Sequence, residues 1–355
     1  MVNNDIEKAK SIIKNYNGKP LKIMEVCGTH THEIFKLGIR NLLPKNINLI
    51  SGPGCPVCVT PTTFIDEAIY LALERDVTIC TFGDLIRVPG TKTSLGGARS
   101  KGAKIQIVYS PLDSVEYAKS HKDEQVVFLS VGFETTTPAS CIAVRNAKTE
   151  NLENYSILSA NKTMHQAYID LKDACDAYIY PGHVCAMSGM HELYELRDNE
   201  NISGAVTGFS ASEILVSFAY LIDNLQDNKP FVANLYPSVV TEDGLTRAKT
   251  LVKNTFDPCD STWRGLGIIK NSGLKLKEKY IDYDAREKFS IPEMDTKQNT
   301  ACRCGDVLKG DIKPFECPLF SKGCNPDHPV GACMVSSEGA CSAYYKYGEN
   351  LWKKN

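Results

Sequence analysis

The chain has 355 residues, enough for two or three domains, and its 43% hydrophobic and 23% charged residues are ordinary for a soluble globular protein. The formal net charge of −2 argues against a nucleic-acid partner, because nucleic-acid-binding domains usually carry a basic face. No stretch approaches the roughly 20 apolar residues that cross a bilayer, and the charged N-terminus has no signal-peptide core, so we expect a cytoplasmic protein without membrane contact.

Short apolar strands alternate with amphipathic helices along the first third of the chain. The predicted strands are 21–28, 47–54, 77–84 and 103–110, and the predicted helices are 31–43, closed by Pro44, and 62–74, with Thr62 or Thr63 as N-cap. This alternation is typical of a parallel sheet covered by helices on both faces. It predicts a first α/β domain at residues 1–122.

The same alternation begins again after residue 122. The predicted strands are 124–134, 155–161, 177–183, 202–208 and 230–237, and the predicted helices are 137–148, 210–226, opened by Ser210, and 242–256. These elements predict a second α/β domain at residues 123–258. Binding groups gather on the loops at the carboxyl ends of parallel strands, so we expect the two domains to face a cleft lined by those loops.

The remaining residues, 259–355, change in character and become rich in Cys, Gly and Pro from 297 onward. Six of the 14 cysteines lie between Cys302 and Cys341. In a reducing compartment, many cysteines indicate metal or thiol chemistry more often than structural disulfides. We therefore predict a small Cys-rich region organised around an inorganic centre.

Four of these cysteines have long and uneven spacing. The intervals separating Cys302, Cys317, Cys324 and Cys341 are 14, 6 and 16 residues. Zinc sites usually take their ligands in closely spaced pairs, so this spacing favours an iron–sulfur cluster over zinc. Cys304 and Cys333 are left over and could form an oxidised pair.

The segment "MEVCGTHTHEIF" places Cys27 after a strand and His30 in the turn that opens a helix. A helix N-terminus stabilises a thiolate. The pair suits a nucleophile with its base or a site for a soft metal. A buried cysteine beside a capping threonine is an equally good interpretation of this segment alone.

The segment "GPGCPVC" spaces Cys55 and Cys58 as a redox dithiol. Pro53 and Pro56 are expected to hold both cysteines outside helices and strands, in a loop that does not belong to the core. Half of a zinc site is the competing interpretation, although no second half lies nearby in the sequence.

Four further polar residues follow predicted strands and are candidates for the cleft: Asp84, Arg87, Glu134 and His183. Each could contact a ligand. Taken singly, however, each is more typical of a helix cap or of a hydrogen-bonded structural group.

Together these motifs resemble the HypD family of hydrogenase maturation factors. The resemblance covers most of the chain and is carried, in the family's order, by "CGTHTH", "GPGCPVCVTP", "TFGDLIRVPG", "YSPLDS", "GFETTTP", "PGHV" and the four widely spaced C-terminal cysteines. Cys185 departs from it, because a hydroxyl residue is expected there.

The resemblance implies two α/β domains around a cleft and a [4Fe–4S] cluster on Cys302, Cys317, Cys324 and Cys341. It implies a scaffold that works with HypC to assemble an iron carrying cyanide and carbonyl, with cyanide arriving from HypE and the iron passing to the large subunit of a [NiFe] hydrogenase. We expect Cys27 to anchor this iron, with His30 as orienting group or proton donor.

On the same basis we expect Cys55 and Cys58 to cycle between dithiol and disulfide and so to supply electrons, with Cys304 and Cys333 as a second redox pair near the cluster. The alternatives are a self-contained iron–sulfur thiol-disulfide reductase, which would not need Cys27, and a zinc-binding module without redox function.

Overall fold

The computed structural model describes residues 2–227, 229–297 and 299–352. Within these ranges the strands are β1 (Leu21–Glu25), β2 (Ile47–Ser51), β3 (Thr78–Thr81), β4 (Ile105–Ile107), β5 (Val126–Ser130), β6 (Tyr155–Ser159), β7 (Ala177–Pro181), β8 (Gly204–Thr207), β9 (Val232–Asn234), β10 (Phe256–Trp263) and β11 (Gly267–Leu276).

The α-helices in the same ranges are α1 (Val2–Asn15), α2 (Gly28–Lys36), α3 (Pro56–Val59), α4 (Thr62–Glu74), α5 (Leu95–Arg99), α6 (Pro111–Ser120), α7 (Thr137–Thr149), α8 (His165–Asp170), α9 (Gly182–Ser188), α10 (His191–Glu200), α11 (Ala211–Asn224), α12 (Thr246–Thr255), α13 (Ala285–Lys288), α14 (Cys304–Lys309), α15 (Ala332–Val335), α16 (Ala340–Tyr347) and α17 (Glu349–Trp352). Short 3-10 helices span Ile39–Leu42, Gly83–Arg87, Lys172–Ala174, Glu278–Tyr283 and Pro314–Glu316. None of the helices in the described ranges is both long and apolar enough to cross a membrane.

Two sheets form the centre of the fold, and all their strand pairs are parallel. The first sheet has the order β2-β1-β7-β8-β9 and the second has the order β4-β3-β5-β6. Each of the nine strands predicted from the sequence contains one of these observed strands. The predicted α/β class with parallel sheets is therefore confirmed.

The predicted boundary between residues 122 and 123 does not separate the two sheets. β1 pairs with β7, with Ile23 opposite Ala177, so the first sheet takes strands from both sides of the boundary. The second sheet does the same, because β3 pairs with β5. The alternation of strands and helices reports local structure only, whereas the choice of a strand's neighbour depends on contacts far apart in the sequence.

An antiparallel hairpin, β10 and β11, follows α12 and is not among the sequence predictions. The predicted helix 242–256 contains α12 but ends at Thr255, because Phe256 begins β10. Phe256 and Trp263, at the two ends of β10, are buried. The residues between them alternate between partly buried and exposed, which is the pattern of a strand. The hairpin also crosses the predicted boundary at residues 258 and 259.

The observed helix boundaries and N-caps agree with the predicted ones only in part. Ser210 is the N-cap of α11, as predicted, and it also forms a capping box with Glu213. In α4, however, Thr62 is already the first helical residue and Pro61 occupies the N-cap position. The predicted helix 31–43 begins earlier, at Gly28, and ends at Lys36, shortly before Gly38 in a left-handed conformation with φ 67°.

Candidate metal and thiol site

Cys27 lies at the junction of β1 and α2, directly before the first helical residue. Its carbonyl accepts a hydrogen bond from the Thr31 N–H at 2.9 Å, and the Gly28 N–H donates to the Gly54 carbonyl at 3.2 Å. A Cβ at Gly54 would lie 2.2 Å from the backbone N of Cys27, so only glycine permits this close approach. The loops that follow β1 and β2 therefore meet at Cys27.

The Cys27 thiol is half-buried, and burial raises its pKa to about 12. The backbone N–H groups of His30 and Thr29 lower that pKa, whereas the carboxyl of Glu25 raises it. The helix N-terminus expected to stabilise a thiolate is thus present, but the cost of burying the charge outweighs it. The free chain therefore holds a thiol at this position, and a bound cation would favour the thiolate.

Glu25 is a buried carboxyl next to Cys27 that the sequence predictions leave out. It accepts hydrogen bonds from the Thr31 hydroxyl at 2.5 Å and from the Cys27 N–H at 3.3 Å. Burial raises its pKa to about 7. The available signal was an acidic residue at the end of an otherwise apolar strand, since such a residue is rarely buried without a reason.

Glu338, near the other end of the chain, covers the start of α2. It accepts a hydrogen bond from the Thr29 hydroxyl at 3.2 Å, and a Cβ at Gly28 would lie 2.3 Å from the Cβ of Glu338. Burial raises its pKa, while the hydrogen bond from Thr29 lowers it. No sequence pattern identifies this residue, because the contact joins positions 309 residues apart.

His30 is fully buried and stacks on one face of Phe209, while His183 stacks against the same ring, with centroid distances of 4.5 and 4.1 Å. Burial lowers the pKa of His30 to about 4, so the ring is neutral near pH 7. Its Nε2 lies 2.9 Å from the Gly208 carbonyl and donates to it, which leaves the lone pair on Nδ1. Nδ1 is buried and has no partner among the described residues. A neutral ring fits the expected orienting role better than the expected proton donor.

The dithiol adopts a different structure from the one predicted. Cys55 is the N-cap of α3 and its sulfur accepts from the Cys58 N–H at 3.4 Å, so Cys58 lies inside a short helix. Pro56 occupies the first helical position, where no N–H is needed, and therefore starts the helix instead of preventing it. The side chains of Cys55 and Cys58 are 3% and 1% exposed, so they belong to the core, contrary to the prediction of a loop outside it.

Cys58 also contacts a cysteine of the C-terminal region. A hydrogen bond with Cys333, together with one to Cys55, raises the pKa of the Cys58 thiol well above its ordinary value. The Cys58 sulfur lies 3.9 Å from the carbonyl of Ala332. Cys304, the expected partner of Cys333, instead forms a hydrogen bond with Cys302. The structure therefore joins Cys333 to the dithiol.

All six C-terminal cysteines line one cavity, which we call the thiol cavity: Cys302, Cys304, Cys317, Cys324, Cys333 and Cys341. The Val330 N–H donates to the sulfur of Cys324 at 3.3 Å. A Cβ at Gly331 would lie 2.7 Å from the sulfur of Cys302. The loop at 330–331 thus lies against two of the predicted ligands.

The thiol cavity is narrow, with about 20 Å³ of space, which is room for roughly one water molecule. Within the described ranges, no three Cys, His, Asp or Glu side chains are grouped as ligands of a single metal ion. The cavity therefore brings six soft donors to one region, but not in the close grouping of a tetrahedral zinc site.

Two of the four polar candidates attach the C-terminal region to the loop after β3. Asp84 accepts a hydrogen bond from the Ser336 hydroxyl at 3.1 Å. Arg87 donates to the carbonyls of Pro326 at 3.1 Å and Val335 at 3.3 Å. Both side chains thus hold the segment that carries Cys333 in place.

Glu134 lies at a different cavity, of about 630 Å³, which His165 and Glu192 also line. One carboxylate oxygen accepts from the Met164 N–H at 2.7 Å, and the other is buried without a partner in the described part of the chain. Burial raises the pKa of Glu134 to about 7. Neither Cys27 nor Asp84 lines this cavity.

Comparison with known proteins gives concordant matches along the chain. The model of the HypD family, described as "Hydrogenase formation hypA family", matches residues 2–348. The hydrogenase maturation factor HypD of Rhodobacter capsulatus is 40% identical over 339 residues, which cover 93% of this chain and 90% of that protein. HypD of Escherichia coli K12 is 40% identical over 336 residues, with 93% and 90% covered. A putative hydrogenase expression/formation protein of Methanocaldococcus jannaschii is 39% identical over 330 residues, with 92% of each chain covered.

Proposed function

The chain belongs to the HypD family of hydrogenase maturation factors, and on this premise we propose that it is an assembly scaffold for the iron of a [NiFe] hydrogenase. In this proposal it acts in the cytoplasm with HypC and receives cyanide from HypE. It holds an iron carrying cyanide and carbonyl until the iron passes to the hydrogenase large subunit. The supporting observation is the half-buried Cys27, around which two strand-end loops and the C-terminal segment meet.

We propose Cys27 as the anchor of this iron. A thiolate is a suitable ligand for low-spin ferrous iron with strong-field ligands. Because burial raises the pKa of the free thiol to about 12, iron binding has to displace the proton, which makes the anchor selective for a cation that binds sulfur strongly. The neutral ring of His30, with its unpaired Nδ1, is in the protonation state in which an imidazole can accept a metal or a proton.

We propose Cys302, Cys317, Cys324 and Cys341 as the residues that hold a [4Fe–4S] cluster. The donor set fits, because four thiols line one cavity and a backbone N–H donates to one of the sulfurs. The cavity is smaller than the cluster, so we expect the loops that carry these cysteines to move apart when it binds. Once bound, the cluster would supply electrons one at a time.

We propose that Cys333 exchanges with the dithiol. When Cys55 and Cys58 are oxidised to a disulfide, the Cys333 thiolate can attack the Cys58 sulfur, forming a Cys58–Cys333 bond and releasing the Cys55 thiolate. The packing of Cys55, Cys58 and Cys333 in one buried cluster, with the Cys58 N–H donating to the Cys55 sulfur, supports this exchange. It conserves electrons and links the thiol cavity to the loop beside Cys27.

The anchor is tested by co-purifying the chain with HypC under anaerobic conditions and recording infrared spectra. Cyanide and carbonyl stretching bands should be present in the parent protein and absent in Cys27→Ala. Cys175→Ala is the matched control, because Cys175 is also half-buried and should leave the bands unchanged. Bands of full intensity in Cys27→Ala would exclude the proposed anchor.

A self-contained thiol-disulfide reductase is the second candidate, and the contact of Cys58 with Cys333 favours it. The two functions respond differently to two variants. For the scaffold, Cys27→Ala abolishes hydrogenase maturation, and the double variant Cys55→Ala with Cys58→Ala slows it strongly. For a reductase, Cys27→Ala keeps full disulfide-reducing activity with an artificial electron donor, while the double variant loses it.

A further inference from the structure

Another cavity, of about 450 Å³ and separate from the one at Glu134, opens beside the thiol cavity and shares Cys302, Cys304 and Gly331 with it. Arg264 and Lys297 also line this cavity. No Asp or Glu is among its lining residues in the described part of the chain. The cavity therefore presents two cationic side chains and two thiols to whatever occupies it.

Arg264 is only 5% exposed and lies in a loop that packs against two others. Its Nε donates to the Thr60 carbonyl at 2.8 Å and its Nη2 to the Pro89 carbonyl at 3.2 Å. Neither partner carries a charge, and none of the ion pairs found in the described ranges includes Arg264. A buried guanidinium without a carboxylate is costly, so its environment indicates a place for an anion.

Two kinds of group can fill this place. The sulfurs of neighbouring cysteines are one, and those of Cys302 and Cys304 line the same cavity as Arg264. A bound anion is the other, and the open cavity favours it. Lys297 is largely exposed, and its nearest carboxylate, on Asp295, is 3.8 Å away at the surface. Lys297 is thus able to turn toward a ligand.

We propose that this cavity binds a small oxyanion, a carboxylate or a phosphate, between Arg264 and Lys297 and next to the thiol of Cys304. The site does not include the proposed iron anchor, Cys27, although it shares Cys302 with the proposed cluster ligands. The consequence is a preference at Cys304, which is 8% exposed: the two cations of the cavity should draw small anions to it more strongly than neutral molecules of the same size.

The test compares two alkylating reagents of similar size, the anion iodoacetate and the neutral iodoacetamide, on anaerobically purified protein. Mass spectrometry of the peptide with Cys304 gives the rate for each reagent. We divide the iodoacetate rate by the iodoacetamide rate. This ratio cancels any change in the reactivity of the thiol itself, because such a change affects both rates equally. We expect the ratio at Cys304 to fall roughly tenfold in Arg264→Gln, the effect of losing one charge-assisted hydrogen bond, and to be largely kept in Arg264→Lys.

Competition identifies the ligand chemistry. Inorganic phosphate or succinate should protect Cys304 from iodoacetate and leave the iodoacetamide rate unchanged, and the more protective of the two indicates the preferred class. Lys297→Gln should also lower the ratio, and it tests the site even where Arg264→Gln fails to fold, because Lys297 is exposed. Lys8→Gln, an exposed change on α1, should not affect it.

An equal ratio in the parent protein, Arg264→Gln and Lys297→Gln, with no protection by either anion, would overturn the proposed site. Arg264 would then be balanced by the neighbouring sulfurs alone. Loss of the infrared bands in Cys27→Ala with an unchanged alkylation ratio would show that the oxyanion site and the iron anchor are separate, so the two proposals can fail independently.

Discussion

Replacing Gly54 by alanine should displace the loop that lies on Cys27. The new Cβ would meet backbone atoms only, at 2.2 Å from the Cys27 N, 2.4 Å from the Val26 C and 2.5 Å from the Cys27 Cα. To reach an ordinary contact of 3.4 Å, the loop and the start of α2 have to separate by about 1.2 Å. No side chain can rotate to relieve the clash, so the backbone itself has to move.

We expect Gly54→Ala to lower the free energy of unfolding by about 1–3 kcal/mol, the usual cost of overpacking a dense region, and to weaken the cyanide and carbonyl bands of the HypC complex. Urea unfolding of reduced protein measures the first effect and infrared spectroscopy the second. Gly83→Ala is the matched control, because nothing lies within 4 Å of its added Cβ. Equal stability and equal bands for the two variants would refute the claim that the 52–55 loop holds Cys27 in place.

Three further predictions concern other parts of the site. Arg87→Ala should lower the free energy of unfolding by about 1 kcal/mol, because it removes the hydrogen bonds to Pro326 and Val335, whereas Arg99→Ala, at another exposed arginine, should change it by less than about 0.5 kcal/mol in the same urea titrations. Stability should fall as pH rises from 4.5 to about 7, because the pKa of buried Glu134 is raised to about 7 and the folded chain keeps a proton that the unfolded chain releases. Glu134→Gln should remove that part of the slope, and an unchanged slope would contradict the assignment. Mild oxidation of Cys55→Ser should trap a Cys58–Cys333 disulfide, detectable as a cross-linked peptide by mass spectrometry, and a failure to trap it would contradict the contact.

The strands could be predicted because each is a local property of the chain. A run such as "LKIME" is mostly apolar, short and bounded by turn residues, and these features decide its conformation wherever it pairs. The pairing of β1 with β7 could not be predicted, because a restart of the strand–helix alternation has the same appearance whether the second set of strands forms its own sheet or joins the first. The hairpin of β10 and β11 was missed for a related reason, since Pro258 interrupts a strand pattern that begins directly at the end of a helix.

The site could be predicted only where a motif carries its own chemistry. Cys27, Cys55 and Cys58 stand out because cysteines after a strand, or spaced as a dithiol, belong to short motifs that can be recognised in the sequence. Glu338 and Arg264 do not stand out, because a single charged residue in a loop is usually exposed. Only the folded structure distinguishes them, because it places Glu338 against Gly28 and Arg264 next to a group of cysteines.

The position of Glu338 connects the thiol cavity to the surroundings of Cys27. Cys333 and Glu338 belong to one tightly folded segment, since a Cβ at Gly339 would lie 2.1 Å from the carbonyl oxygen of Cys333. Because the backbone of this segment is closely packed at Gly339, we expect a displacement at Cys333 to move Glu338 as well. Any cofactor that widens the narrow thiol cavity would therefore shift the carboxyl that covers the start of α2. Because Cys27 is only half-buried, such a shift would change how accessible its sulfur is to a ligand.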